Sequence, residues 1–308
     1  MHAHRDEQPG DSVVARVAAR TGFPAGHTSA LGGGSICQAW RVERAAGARH
    51  GSQYGTVFAK TLPDAPPDFF AAEAAGLRLL AETGTVAVPE VLAAEPDLLV
   101  LNWIEPGPPS ATGAERLGRD LAALHSTPAP GYGTPGRPAY LGPLPLTSPE
   151  RPVTDPGRWP TYHAEHRLLP FLRLAYDRGA VDDTDRRDVE LLCARLDEVA
   201  GPPQPPAVTH GDLWSGNVLW AADGPAHLID PAAQGGHPET DLALLELFGC
   251  PRLPRVLAAY EELRPVPGRA ARVPLHQLQH LLVHAALFGS GYGTRSGAAA
   301  RAALSGRP

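Results

Sequence analysis

Apolar and polar positions along this chain follow two periods. Early in the chain the alternation is every second residue. Residues 56–60 (Thr-Val-Phe-Ala-Lys) read as a strand, as do residues 86–91 and the almost wholly apolar run 98–104. Elsewhere the period is helical. A short helix is expected over 13–21, and a longer one over 69–83 with Asp68 as its N-cap and Gly84 as its stop. Phe70, Glu73, Leu77 and Leu80 share one face of that second helix. Further helices are expected over 114–125, with Leu117, Leu121 and Leu124 buried, and over 160–176, 183–199 and 242–248. A C-terminal helix carries His276, His280 and His284 at intervals of four, and 289–293 read as a turn-rich loop. The Pro/Gly-rich passage 128–160 has no period and is long for a loop. The order predicts an α+β fold: a strand-rich portion over 1–104 with one long helix, then a mainly helical portion over 105–308. The Glu-Pro-Gly-Pro-Pro run at 105–109 marks the boundary.

The stretch 207–231 interrupts the helical portion. It predicts a loop, a strand, a turn at Asp223-Gly224-Pro225, a second strand and an acid at the exit. Such a hairpin brings Asp212, Asn217 and Asp230 to one end. Asp212 and Asn217 have four residues between them, the spacing of kinase catalytic loops. Phosphoryl transfer from ATP needs one carboxylate to accept a proton, and an amide and a second carboxylate to hold magnesium. Asp212 suits the first role; Asn217 and Asp230 suit the second. An ordinary hairpin with turn-type Asp and Asn is the plainer alternative.

The N-terminal portion supplies the remaining parts in the expected order. Gly32-Gly33-Gly34-Ser35 precedes a strand-like alternation, so it is neither a Rossmann turn nor a Walker loop, both of which open helices. It fits a phosphate-covering loop between strands, or a plain tight turn. Lys60 ends the strand 56–60. Glu73, on an apolar helix face, needs a partner if buried, because a lone buried carboxylate is costly; Lys60 is the natural one, and a helix-edge residue reaching solvent is the plainer alternative. The connector Leu101-Asn102-Trp103-Ile104 could bond an adenine edge through backbone groups, or be a simple core strand. His210 reads as structural. Asp241, at a helix start, either caps that helix or braces the 210–212 loop.

Composition narrows the field. The net charge of −6, with no basic cluster, argues against a nucleic-acid partner. Of 27 basic residues all but Lys60 are Arg; a specific role for this lysine and a simple compositional bias both fit. The 3 cysteines, Cys37, Cys193 and Cys250, show no metal spacing and suit a reducing compartment. No signal-like or membrane-spanning run is evident. A cytoplasmic protein without a membrane partner, monomeric or weakly dimeric, is expected. The three helical histidines could face a metal, but histidines satisfied within an apolar helix are the plainer expectation.

Several of these pieces together resemble the fructosamine kinase (ketosamine-3-kinase) family, within the aminoglycoside phosphotransferase-like branch of the two-lobed protein-kinase-like fold. The resemblance rests on Gly32-Gly33-Gly34, Phe58-Ala59-Lys60, Glu82 to Val86, Trp159 to Tyr162 with His166-Arg167-Leu168, and His210-Gly211-Asp212-Leu213-Trp214-Ser215-Gly216-Asn217. It continues through Asp230-Pro231-Ala232, Gly236-His237-Pro238-Glu239 and Phe288-Gly289-Ser290-Gly291-Tyr292. It implies ATP- and Mg2+-dependent phosphorylation of the 3-hydroxyl of ketosamines, a deglycation chemistry. It also implies Asp212 as proton acceptor, Asn217 and Asp230 as metal ligands, Lys60 on the phosphates with Glu73 orienting it, and nucleotide contacts from Gly33, Gly34, Ser35 and the connector 101–104. Trp214, His284 and Tyr292 are candidates for touching the acceptor; Trp214 could equally be core packing. Two departures stand out. Many relatives carry Cys after the three glycines, where this chain has Ser35 with Cys37 nearby, and many carry Glu where it has Asn102. The alternatives are a kinase of the aminoglycoside or choline type, and a nucleotide-binding pseudokinase.

Overall fold

The structure, a computed structural model, describes residues 9–32, 36–47, 53–222 and 224–306. Helix α1 (Pro9–Thr21) precedes strands β1 (Ala25–Leu31), β2 (Gln38–Arg44) and β3 (Thr56–Thr61). Helix α2 (Phe69–Glu82) follows, then β4 (Val91–Glu95) and β5 (Leu98–Asn102). The five strands form one antiparallel sheet in the order β1-β2-β3-β5-β4. β3 is thus central, and Lys60 lies between Ala39 of β2 and Leu99 of β5.

Alternation along the strands sorts the core. Val57 and Ala59 join Leu98, Val100, Val13 and Val17 beneath α1. Phe58, with Leu99 and Leu101, packs on the other face with Phe70, Ala74 and Leu77 of α2. Lys60 shares the parity of Phe58, so strand geometry alone turns it toward α2.

Two expectations in this region are corrected. The strand expected over 86–91 starts only at Val91 and runs to Glu95. Pro89 can donate no hydrogen bond, and Ala87 instead forms a lone bridge with His227, its carbonyl accepting from Leu228 N at 2.8 Å. Asp68 precedes α2 as expected, but its side chain makes no capping hydrogen bond.

The second half begins with α3 (Ala111–Leu124), capped by Ser110, whose Oγ accepts from Gly113 N at 2.9 Å. A small hairpin, β6 (Tyr140–Leu141) and β7 (Leu144–Pro145), interrupts the Pro/Gly-rich passage. Next come α4 (Trp159–His163), a π-helical turn at Ala164–Leu168, α5 (Leu169–Asp177), α6 (Asp183–Ala194) and α7 (Leu196–Val199). The π turn carries Arg167, which is buried and donates to the carbonyls of Thr147 and His166 at 2.6 and 2.8 Å. It thereby ties the irregular passage to the helices.

The expected hairpin is present as β9 (Val218–Trp220) and β10 (Ala226–Leu228), preceded by β8 (Ala207–Thr209). Asp223 of its turn lies outside the described residues. After Asp230, β11 (Gln234–Gly236) returns to pair with β8, a ladder the alternation did not signal. Four helices follow: α8 (Pro238–Leu247), α9 (Leu253–Leu263), α10 (Arg269–Phe288) and α11 (Ser290–Ser305). The expected loop at 289–293 is corrected. Gly289, at φ +105°, ends α10, and the chain re-enters helix at once. Among the described residues no helix is long and apolar enough to cross a membrane.

Candidate active site

Lys60 Nζ lies 3.0 Å from both carboxylate oxygens of Glu73 and 2.9 Å from Oδ1 of Asp230. Helix α2 brings Glu73 here because Gly76 lets it pack closely on the segment after Asp230; a Cβ at Gly76 would stand 3.2 Å from Pro231 Cγ. Asp230 itself adopts φ +54°, a left-handed conformation that Asp tolerates better than most residues. Burial by itself would lower the Lys60 ammonium pKa. The carboxylates of Asp230 and then Glu73 outweigh it and hold the lysine charged, well above its ordinary value.

The loop carrying Asp212 has no regular structure and is held by a buried polar network. Both oxygens of Asp241 accept backbone N–H groups, from His210 at 2.8 Å and Gly211 at 2.9 Å. His125 Nε2 lies 3.0 Å from the same carboxylate, and its Nδ1 lies 3.0 Å from the hydroxyl of Tyr260. Burial would raise Asp241, but the hydrogen bond and charge of His125 hold it below the ordinary carboxylate range. So Asp241 braces the loop, while His237 caps α8, its Nδ1 accepting from Glu239 N at 3.3 Å.

His210 is the structural residue expected. Its Nε2–H donates to the Ile229 carbonyl at 3.0 Å, and its Nδ1 accepts from Asp212 N at 3.2 Å. Gly211, at φ +82°, sits where any Cβ would collide with the Ala232 carbonyl. His280 Nε2–H donates to the Gly211 carbonyl at 3.1 Å and lies 3.7 Å from Asp212 Oδ1.

Asn217 donates Nδ2 to the Asp212 carbonyl at 2.8 Å and to Asp212 Oδ2 at 3.3 Å. Burial first, then the nearby charge of Asp230, raises the Asp212 carboxyl to about 7. Its side chain still keeps 22% of its surface exposed.

Lys60, Glu73, Asp212, Trp214, Asn217, Asp230, His284 and Tyr292 all line one cavity of about 780 Å³. Gly33, Gly34 and Ser35 lie outside the described residues, but their neighbours Leu31, Gly32, Ile36 and Cys37 line the cavity. Burial pushes the Cys37 thiol up to about 11, against the pull of Lys60.

The connector residues 101–104 are not among the lining residues. Leu101 is buried with Phe69 and Phe70. Asn102 Oδ1 accepts from Glu90 N. The Trp103 ring lies 5.3 Å from the Arg41 guanidinium.

The irregular passage contributes Thr134 and residues 137–142 to the cavity wall, which sequence periodicity could not reveal. The three histidines of α10 do not converge on one ion. His276 stacks on Trp159 at 5.1 Å and faces His237, His280 serves Gly211, and His284 reaches the cavity. His237, Glu239 and His276 come together in the interior, where Arg272 forks onto Glu239 at 2.9 to 3.1 Å and supplies its counter-charge.

The fructosamine kinase family model matches residues 12–305. A protein of Thermus thermophilus named probable ketoamine kinase is 39% identical over 267 residues, 85% of this chain and 88% of its own length. A solved structure from Thermobifida fusca, provisionally named fructosamine-3-kinase, superposes with TM-score 0.85 at 45% identity, covering 95% of this chain and 98% of its own. A macrolide 2'-phosphotransferase from Brachybacterium faecium has TM-score 0.58 at 21% identity, over 95% of this chain and 96% of its own, and shares the protein-kinase-like fold. The chain therefore belongs to the fructosamine kinase family and is a phosphotransferase with an alcohol group as acceptor.

Proposed function

We propose that this protein transfers the γ-phosphoryl group of ATP to the 3-hydroxyl of ketosamines. The observation that carries the reading is the convergence of Lys60, Glu73, Asp212, Asn217 and Asp230 on one cavity. The nucleotide lies against the five-stranded sheet, with Lys60 on the α/β phosphates. Glu73 fixes the direction of the Lys60 ammonium. Asn217 has spent its Nδ2 on Asp212, and its Oδ1 makes no hydrogen bond to a described residue. With the Asp230 carboxylate it offers hard oxygen donors that suit magnesium. Bound there, magnesium neutralises charge on the phosphates.

Asp212 orients the acceptor hydroxyl and takes its proton. A carboxyl with a pKa near 7 is a better base than an ordinary aspartate and is still ionised in useful amount at neutral pH. The acidic residues among the described cavity lining are Glu73, Asp212 and Asp230. All three belong to the phosphoryl-transfer set, which leaves no separate acidic patch for a polycationic aminoglycoside.

The test is ADP release from Mg-ATP with a ribulosamine, a fructosamine, an aminoglycoside and choline. Turnover with ketosamines alone is expected. Turnover only with another acceptor would keep the residue roles and overturn the substrate. ATP binding without turnover on any acceptor would favour a pseudokinase.

A further inference from the structure

The peptide bond that enters Asp212 is held at both polar ends by buried histidines. Its N–H, on Asp212, donates to His210 Nδ1 at 3.2 Å. Its carbonyl, on Gly211, accepts from His280 Nε2 at 3.1 Å. Asp241 accounts for the two peptides before it, through the N–H groups of His210 and Gly211. The third peptide is thus left to the two rings. His210 is part of the loop it braces. His280 comes from α10, 69 residues away in sequence, and ties the loop to a long packed helix.

Gly211 is where such a tie matters. It has no side chain and sits at φ +82°, so steric restraint on the next peptide is weaker than at any other residue type. Turning that peptide would turn the Asp212 carboxylate with it. The chemistry of the His280 ring fits the task. A carbonyl can only accept, so His280 carries its proton on Nε2 and keeps a lone pair on Nδ1. That Nδ1 is buried and has no hydrogen-bond partner among the described residues. An unsatisfied buried acceptor destabilises the fold, which makes the ring a poor choice for packing alone. Nε2 also lies 3.7 Å from Asp212 Oδ1, while Asn217 donates to Oδ2 at 3.3 Å. Burial, then the neighbouring His284, lowers the imidazole pKa to about 4, so the ring is neutral at neutral pH. A charged ring this close would form an ion pair with the carboxylate and weaken it as a base. A neutral N–H orients the loop and leaves the base its proton affinity.

We propose that His280 is a positioning residue for phosphoryl transfer: its Nε2–H pins the Gly211 carbonyl and thereby fixes the direction in which Asp212 presents its carboxylate to the acceptor hydroxyl. The inference rests on the reading of Asp212 as the proton acceptor, not on which hydroxyl is phosphorylated. It makes α10 a support of the base as well as a wall of the cavity.

The test measures kcat and KM with Mg-ATP and the best acceptor among a ribulosamine, a fructosamine, an aminoglycoside and choline. His280→Leu removes the donor at similar volume. His280→Gln places an amide N–H near the position of Nε2. The two are made in the unaltered protein and in Asp212→Asn, and folding of each is checked by urea unfolding. His280→Leu is expected to lower kcat by about tenfold or more with KM for ATP unchanged, and His280→Gln to restore most of it. In the Asp212→Asn background, His280→Leu is expected to lower the residual turnover no further, because the group it aims is already gone. A merely structural histidine would lower turnover by the same factor in both backgrounds, and that result overturns the inference. So does an unchanged kcat in folded His280→Leu, with the role of Asp212 left standing. Near-normal turnover in Asp212→Asn alone removes the proton-acceptor reading, and the inference with it. If His280→Leu does not fold, His280→Asn, whose amide stops short of Nε2, carries the same comparison.

Discussion

Lys60 and Asp212 face the same cavity but are held there by different means. Lys60 belongs to the middle strand of a sheet, and its direction follows from strand parity and from a helix carrying Glu73. Asp212 belongs to a loop, and its position depends on buried hydrogen bonds to Asp241, His210 and Asn217. Regular structure places a side chain through many small, redundant contacts. A braced loop places one through a few polar contacts, each costly to lose in the interior. The two halves of the site should therefore fail differently.

The largest effect is expected from Asp212→Asn, which keeps the shape of the side chain and removes the proposed base. Turnover should fall on the order of 10² to 10⁴, with ATP affinity by calorimetry nearly unchanged. Near-normal turnover would show that Asp212 is not the proton acceptor. Asp241→Ala comes next. It deprives two backbone N–H groups and His125 of their acceptor and should cost about 2–5 kcal/mol in urea unfolding, with a parallel loss of turnover. If stability fell and turnover did not, the brace would be a matter of folding alone.

Glu73→Gln should act on the other half. Lys60 keeps Asp230 but loses one charged partner, worth about 1.5–3 kcal/mol for a hydrogen bond to a charged group. The expected readout is a rise in KM for ATP with little change in KM for the acceptor. Equal effects on both would erase the contrast between the halves.

These differences also explain what was legible in the sequence. Period-2 alternation and helical spacing were enough to pair Lys60 with Glu73, because regular elements leave regular patterns. Asp212, Asn217 and Asp230 were legible as a spacing. Their brace was only half legible: Asp241 stood out, but His125 and Tyr260 come from distant helices and leave no local mark. The cavity wall at 134–142 has no period, since it is held by Tyr132 stacking on Tyr162 and by Arg167. Helix α11 was hidden by its own glycines. Gly293 and Gly297 are there because a Cβ would strike Ala180 and Asp185, so close packing demands what helix propensity disfavours.

A further contrast is expected in pH dependence. The folded Asp212 carboxyl, raised to about 7, binds its proton more tightly than an unfolded aspartate at about 3.9. Its contribution to stability is therefore full below about pH 4 and is lost as the pH rises through about 7. Without nucleotide, the melting temperature should decline over that window, less so in Asp212→Asn. Turnover should move the opposite way, rising as the Asp212 carboxyl ionises.

Lys60 is the one lysine in the 308 residues. It is 7% exposed, and two carboxylates keep it protonated. A sugar carbonyl condenses only with an unprotonated amine that it can reach. Among its side chains this protein therefore offers almost nothing to glycate: the adducts proposed as its substrates cannot readily form on its own lysine. The same feature makes Lys60 a reporter. An amine-directed reagent that modifies a lysine here can modify no other, so the rate of that reaction measures how accessible the cavity is.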